Sequence, residues 1–388
     1  MEPKIIILGA GFGGVRAALD LRKSLPNSEI TIVNNTLYHC YHPDLYEVAT
    51  AKLDHETALE LKDLAGTINL PLEEIFKDKN IKLLIDSVKE VDLEKKLVIT
   101  NEDKLTYDYL ILSLGSETNF FGIEGAKEYS HTLKSTQDAL IIRNDLISFK
   151  KQKKDLAIVI AGGGFTGVEL AGEMSHYLPS SAKIKIVEAM ENILPSLSNW
   201  TQRTTSQRLK SLGIEVLTNH PIKKIDQKKI YFDSEEINYD YLIWTTGIKG
   251  ANLDEKINGV EFSKKSQIPV QEDLSLTKYP EVFCIGDLSA TAPSTAWSAI
   301  NQAKTVAKNI VFKLKKESTQ KYSSLPSIFV IPVGGVFALT TISGINLSGL
   351  IPWILKELIA LRYFLTILNP IKALNIWWKG VRIYTKND

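Results

Sequence analysis

The sequence predicts an α/β fold built from two doubly wound parallel sheets, and three observations carry that prediction. The stretch KIIILGAGFGGVRAALDLRKSLPNSEITIVNN runs apolar strand, glycine-rich turn, helix and second strand. LAIVIAGGGFTGVELAGEMSHYLPSSAKIKIVEA repeats that order further along. YDYLILSLG (Tyr107–Gly115) and YDYLIWTTG (Tyr239–Gly247) form another repeated pair, one after each unit, each an apolar strand ending in a small-residue turn. One glycine-rich turn says little. Two in full strand–turn–helix–strand context point to two Rossmann-like dinucleotide-binding domains.

In the first unit, Ile5 to Leu8 are apolar without alternation, as in a strand covered on both faces. Gly9, Gly11 and Gly14 then stand at G-x-G-x-x-G spacing. The first permits a tight turn, the second lets backbone approach a pyrophosphate, and the third lets the helix pack closely on the strand. A helix is expected over Val15–Leu25, with its free N–H groups and positive dipole end turned to phosphate. Strand Glu29–Val33 follows. Asn34 then stands about 20 residues past Gly14, where an acid would ordinarily bind ribose hydroxyls. Asn34 accepts one hydrogen bond and donates another, without charge.

The second unit repeats this with strand Ala157–Ala161, Gly162, Gly164 and Gly167, helix Val168–Tyr177 and strand Lys183–Val187. Here the acid is present. Glu188 is expected to accept from both ribose hydroxyls and to repel a 2′-phosphate, which favours NAD over NADP.

In EVFCIGDLSA, a buried strand Val282–Ile285 is expected to deliver Gly286 and Asp287 to a helix start. A carboxylate there suits a cofactor hydroxyl; the plainer reading is an N-cap. From Tyr322 to Leu355 there is no charged residue. Yet Pro326, Pro332, Gly334, Gly335, Gly344, Gly349 and Pro352 interrupt the run, and SIFVIPVGGVFALTTIS reads as two strands and a turn returning to the first domain. Beyond it, Pro352–Leu368 reads as an apolar helix broken by Lys356, Glu357 and Arg362, and Asn369–Pro370 ends it. Ile376, Trp377, Trp378 and Val381 then fall among Lys372, Lys379, Arg382 and Lys386. Apolar faces with basic flanks suit an amphipathic segment lying in a membrane interface. A core helix or a homodimer contact is the other reading.

Composition narrows the field. At net charge +1 over 388 residues, no basic field invites nucleic acid. The two cysteines, Cys40 and Cys284, lie far apart and form no C-x-x-C. Only His39 and His42 stand close together, as loop packing more often than ligation, so no metal is expected. The first strand begins too early to leave room for a cleavable leader, and the catalytic part is expected to stay in the cytoplasm. FKKQKKD (Phe149–Asp155) reads as a solvated linker.

Together these motifs resemble the two-dinucleotide-binding flavoproteins with a glutathione-reductase-like fold, which hold FAD in the first cradle and NAD(P)H in the second. ITIVNNTLYHCYHPDLYEVATAK (Ile30–Lys52), GIEGAKEY, STQDALIIRNDL and GVELAGEM resemble type II NADH dehydrogenases in particular. The resemblance covers about residues 4–310. It implies FAD contacts from Gly9, Gly11, Phe12, Gly13 and Gly14, from Asn34, Asn35 and Val88, from Ser113, Leu114 and Gly115, and from Gly286 and Asp287, with Pro43 near the isoalloxazine. It implies NADH contacts from Gly162, Gly164, Phe165, Thr166, Gly167, Glu188, Thr246 and Gly247. Glu169 would lie near the nicotinamide–flavin contact and assist proton movement. Two positions depart from the family pattern. Asn34 replaces an acid. In PSTAWSAINQA (Pro293–Ala303), Trp297 and Asn301 replace glutamines associated with the quinone pocket, beside Ala296. Trp297 suits stacking on a quinone or filling a core; Asn301 suits a quinone carbonyl.

The resemblance thus implies an NADH:quinone oxidoreductase that does not pump protons, peripheral on the cytoplasmic side of the cell membrane. The FAD domain would span 1–118 and 249–343, the NADH domain 119–248, and the membrane segment 344–388. Sulfide:quinone oxidoreductase is a rival, but it needs redox cysteines beside the flavin, and residues 119–283 hold none. Disulfide reductases lack support without C-x-x-C, and a soluble ferredoxin or rubredoxin reductase does not explain the tail. A low-turnover flavin- and NADH-binding sensor of the apoptosis-inducing-factor type is the reading from another class.

Overall fold

The computed structural model describes residues 2–152, 155–251, 253, 256–291, 293–324 and 328–387. Lys153 and Lys154 of the expected linker lie outside the described residues. The chain divides into two compact units: 1–40, 70–117 and 248–327 in the first, and 41–69, 118–247 and 328–388 in the second.

The first unit carries a five-stranded parallel sheet in the order Val282–Cys284, Tyr109–Leu112, Lys4–Leu8, Glu29–Asn34, Lys82–Ile85. Ile5, Ile7 and Leu8 are fully buried, as a strand covered on both faces must be. Helices Phe12–Ser24 and Ala296–Leu314 pack against each other. A four-stranded sheet of Val88–Asp92, Leu97–Thr100, Lys104–Thr106 and Ile257–Asn258 shares the unit's main hydrophobic core.

The second unit repeats the plan, ordering His131–Thr132, Tyr241–Trp244, Ala157–Ala161, Lys183–Val187 and Glu215–Leu217 in parallel. Its glycine-rich turn opens helix Phe165–Tyr177. Both fingerprint helices start three residues earlier than expected, because the residue after the second glycine is already helical.

The repeated Y-D-Y has a structural cause in each unit. Asp108 Oδ2 accepts from Lys4 N (2.7 Å) and Asp240 Oδ2 from Ala157 N (3.0 Å), so each aspartate ties the start of the strand before the glycine-rich turn to the Y-D-Y strand beside it.

The segment after Ile328 departs from expectation. Strands Val330–Pro332, Ala338–Ile342 and Ile345–Gly349 form an antiparallel sheet within the second unit, not a return to the first. The reason is close backbone packing. A Cβ on Gly172 would meet Gly334 N at 2.6 Å, Glu173 Oε1 accepts from Gly335 N (3.0 Å), and Arg208 donates to the carbonyls of Val333 (3.1 Å) and Gly334 (2.9 Å). Two helices follow, Leu350–Ile367 and Pro370–Tyr384. Asn369 separates them and caps the second, its Oδ1 accepting from Ile371 N (3.0 Å). Among the described residues, no helix is long and apolar enough to cross a membrane.

Candidate functional site

The first turn is shaped by what its glycines exclude. Gly9 has φ +96°, and a Cβ there would meet Ser113 O at 2.5 Å. A Cβ on Gly14 would lie 1.9 Å from Gly9 O. On Gly11 it would meet nothing within 4 Å. The turn is thus closed where helix meets strand and open where a pyrophosphate would approach, beside helix N–H groups that no side chain caps. The second turn matches it: Gly162 has φ +109°, a Cβ on Gly167 would lie 2.0 Å from Gly162 O, and Gly164 faces open space. The residues present fit two bound dinucleotides.

A hydroxyl just past the Y-D-Y strand clasps each turn. Ser113 Oγ donates to the carbonyls of Leu8 and Gly9 (both 2.9 Å). Thr245 Oγ1 donates to those of Ala161 (2.9 Å) and Gly162 (3.2 Å). Sequence reasoning missed Thr245, although the alignment of YDYLILSLG with YDYLIWTTG pairs it with Ser113.

The residue ending each second strand reaches back to the turn. Glu188 Oε2 accepts from Gly163 N (2.7 Å) and its Oε1 from Met190 N (2.8 Å). Asn34 Oδ1 accepts from Ala10 N (2.9 Å), while its Nδ2 donates to the carbonyl (2.9 Å) and hydroxyl (3.1 Å) of Thr36. Asn35 beside it is exposed. His39 Nδ1 donates to Ala10 O (2.9 Å), and its ring stands edge-on to Phe12, so it packs the loop.

Asp287 does not stand at an α-helix start. Gly286–Leu288 is a short 3-10 turn, and helix Ala296–Leu314 begins later, capped by Thr295. Asp287 Oδ2 accepts from Ser116 Oγ (2.6 Å), and Gly286 N donates to Gln302 Oε1 (2.6 Å). The plain N-cap reading is thereby set aside. Trp297 is 37% exposed, so it is no core filler. Asn301 is 7% exposed, and its Nδ2 has no partner among the described residues. Val88 is buried in the four-stranded sheet.

The second unit places Glu169 on helix Phe165–Tyr177 and Pro43 in the turn His42–Asp44. It also assembles a buried ionic cluster that sequence reasoning missed. Lys356 Nζ lies 2.8 Å from Glu47 Oε1, 2.9 Å from Glu357 Oε1 and 3.5 Å from Asp44 Oδ1. Tyr46 OH donates to Glu47 Oε1 (3.0 Å). Asp44, Thr67, Glu357 and Tyr384 line a cavity of about 10 Å³, room for about one water. Burial works against the Lys356 ammonium, but Asp44, Glu47, Tyr46 and Glu357 outweigh it and hold the proton. Burial pushes Asp44 up to about 7 against the pull of Lys356. Burial, aided by Asp44 and Glu47, pushes Glu169 up to about 8. Glu169 therefore holds its proton at neutral pH, whereas Asp44 exchanges its proton there. The only sequence signal was a charged pair, Lys356–Glu357, inside an apolar helix.

A family model described as pyridine nucleotide-disulphide oxidoreductase matches residues 3–303. The chain is 28% identical to the type II NADH:quinone oxidoreductase of Staphylococcus aureus (strain NCTC 8325 / PS 47), over 92% of this chain and 94% of that protein. The Staphylococcus haemolyticus protein of the same description matches equally, at 28% over the same shares. Among solved structures, NDH2 from Plasmodium falciparum in complex with NADH is similar at TM-score 0.84 and 18% identity, over 100% of this chain and 97% of that one. The sulfide:quinone oxidoreductase of Aquifex aeolicus is similar at TM-score 0.81 and 20% identity, over 96% and 92%.

Proposed function

The chain belongs to the pyridine nucleotide-disulphide oxidoreductase family, and from that premise we propose that it is an FAD-dependent NADH:quinone oxidoreductase of the type II kind. The observation that carries the reading is the pair of matched turns, each closed at its outer glycines and open at Gly11 or Gly164. The relatives matched over nine-tenths of the chain bear the description NADH:quinone oxidoreductase.

The FAD domain is taken as 1–118 with 249–327 and the NADH domain as 119–248, with the hairpin 328–343 and the tail 344–388 joined to the second unit. In the first cradle, the N–H groups at Phe12, Gly13 and Gly14 bind the pyrophosphate of FAD, and Asp287 accepts from a ribityl hydroxyl. Asn35, Val88, Leu114 and Gly115 line the nucleotide, and Pro43 borders the ring system. In the second, Phe165, Thr166 and Gly167 serve the pyrophosphate of NADH, Thr246 and Gly247 line its path, and Glu188 accepts from ribose hydroxyls and repels a 2′-phosphate. When bound, the flavin accepts a hydride from NADH and passes both electrons to the quinone. Quinone reduction consumes two protons, and Glu169, protonated near neutral pH, supplies one. Trp297 offers a face for stacking, and Asn301 Nδ2 a donor for a quinone carbonyl.

A quinone dissolved in lipid requires contact with the membrane. Ile351 (70% exposed), Ile371 and Trp378 (56% exposed) leave apolar surface on both tail helices, which also carry Arg362, Lys372 and Arg382. The tail therefore lies in the interface of the cell membrane, with the cradles on the cytoplasmic side. Replacing Ile351 and Trp378 together by Ser is expected to shift the protein from the bound to the free fraction in vesicle flotation; unchanged flotation removes the tail from membrane binding.

One anaerobic titration tests the activity. NADH should bleach the flavin's visible band, and a quinone should restore it. Restoration of the oxidised spectrum by no quinone, or bleaching by sulfide in a separate run, overturns the reading. Cys284 argues against sulfide chemistry, since it is fully buried and burial pushes its thiol far above the usual range.

A further inference from the structure

Asn34 is the residue where the two cradles part. Asn34 ends strand Glu29–Asn34 and Glu188 follows strand Lys183–Val187, and both accept from the backbone N–H just after the first glycine, at 2.9 and 2.7 Å. Their second contacts have opposite polarity. Two residues beyond Glu188, Met190 offers an N–H, which a carboxylate oxygen accepts. Two residues beyond Asn34, Thr36 offers a carbonyl and a hydroxyl, and Asn34 Nδ2 donates to both. An acid in that place would set a negative oxygen against the Thr36 carbonyl. The loop thus selects an amide.

The consequence is a count of acceptors. The two ribose hydroxyls of a dinucleotide want two acceptors, and an ionised acid has lone pairs to spare for both. Asn34 has its amide hydrogens turned to Thr36 and one free lone pair on Oδ1, without charge. The neighbouring acid does not take over. Asp86 lies across the strand pair from Asn34, but its Oδ1 accepts from Ser87 N (2.7 Å) and Asn101 Nδ2 (2.9 Å), and its Oδ2 from Glu102 N (3.0 Å).

We propose that Asn34 gives the first cradle a weak, charge-free grip on the adenosine ribose, so that FAD is held through its pyrophosphate and flavin half and exchanges with free cofactor. The proposal rests on the functional reading above, which assigns FAD to this cradle. It makes Asn34 the residue that sets how much the adenosine end adds to binding.

The test compares FAD with FMN, which lacks the adenosine half. The full-length chain is stripped of flavin, and each flavin is titrated while its fluorescence is followed, in the natural protein, Asn34→Glu and Asn34→Asp. Circular dichroism and the melting temperature of the flavin-free chains report folding. A charge-assisted bond should tighten FAD about tenfold in at least one folded acid variant and slow its release on dilution, with FMN affinity unchanged. FAD affinity unchanged in both acid variants, or FAD and FMN tightened alike, overturns the proposal while leaving the functional reading in place. Failure of both acid variants to fold also overturns it, because the neutral amide is then a requirement of the loop alone. If no form binds either flavin, the functional reading falls, and the proposal with it.

Discussion

The two fingerprint helices are copies in sequence and opposites in charge. FGGVRAALD (Phe12–Asp20) and FTGVELAGE (Phe165–Glu173) align so that Arg16 corresponds to Glu169 and Asp20 to Glu173. In the first helix, Arg16 Nε donates to Asp20 Oδ2 (2.8 Å), a half-buried i,i+4 pair that neutralises itself. In the second, Glu173 is spent on Gly335 N, and Glu169 is left with its proton, raised by burial. One scaffold thus yields a cradle whose helix is electrically quiet and another whose helix stores a proton. The backbone devices are shared; the chemistry lives in what each helix packs against.

Substitutions can break that comparison at its shared parts. The largest effect is expected from Gly14→Ala and Gly167→Ala, whose Cβ atoms would sit 1.9 and 2.0 Å from a carbonyl oxygen. Each should cost about 1–3 kcal/mol or more of stability. Gly14→Ala should yield a colourless chain, whereas Gly167→Ala should keep its flavin and lose NADH binding. Absorbance and calorimetry of the two variants decide it; loss of colour in both would mean the cradles are not independent.

Next in size is Glu188→Gln. Removing the charge should weaken NADH about tenfold and narrow the preference over NADPH, read as the ratio of the two dissociation constants. An unchanged ratio would detach Glu188 from the ribose.

Glu169 sharpens the comparison through pH. Its carboxyl pKa is raised to about 8, so the proton is present below that pH and lost above it. Reoxidation by quinone should slow as pH rises through about 8, and Glu169→Gln should flatten that limb. The half-reaction with NADH serves as the control. If both half-reactions of Glu169→Gln match the natural protein across pH, the residue carries no proton.

The smallest effect is expected from the clasps. Ser113→Ala and Thr245→Ala should each lower stability by about 1 kcal/mol, and by similar amounts. A large difference in melting temperature between the two would show that the turns are not held alike.

Much of this was legible in the residues. The strands Ala157–Ala161 and Lys183–Val187 stand where the apolar runs place them, and Gly9, Gly14, Gly162 and Gly167 stand where a Cβ would collide with backbone or side chain. The hairpin after Ile328 was legible as strands but not in its partner. Nothing in SIFVIPVGG says that Gly334 will lie against Gly172. Asp287 was legible as a turn residue, yet its partner Ser116 comes from far along the chain.

Sequence alone determined the two cradles, because each turn is built from contacts inside one strand–turn–helix–strand unit, where spacing dictates geometry. It also determined that position 34 carries an amide and position 188 an acid. Tertiary structure decided what those groups do. Asp44, Glu47, Lys356 and Glu357 become one buried cluster only when residues 42–47 meet the tail helix, and Glu169 keeps its proton only because that packing removes water. Desolvation is a property of the assembled fold, and local sequence does not encode it.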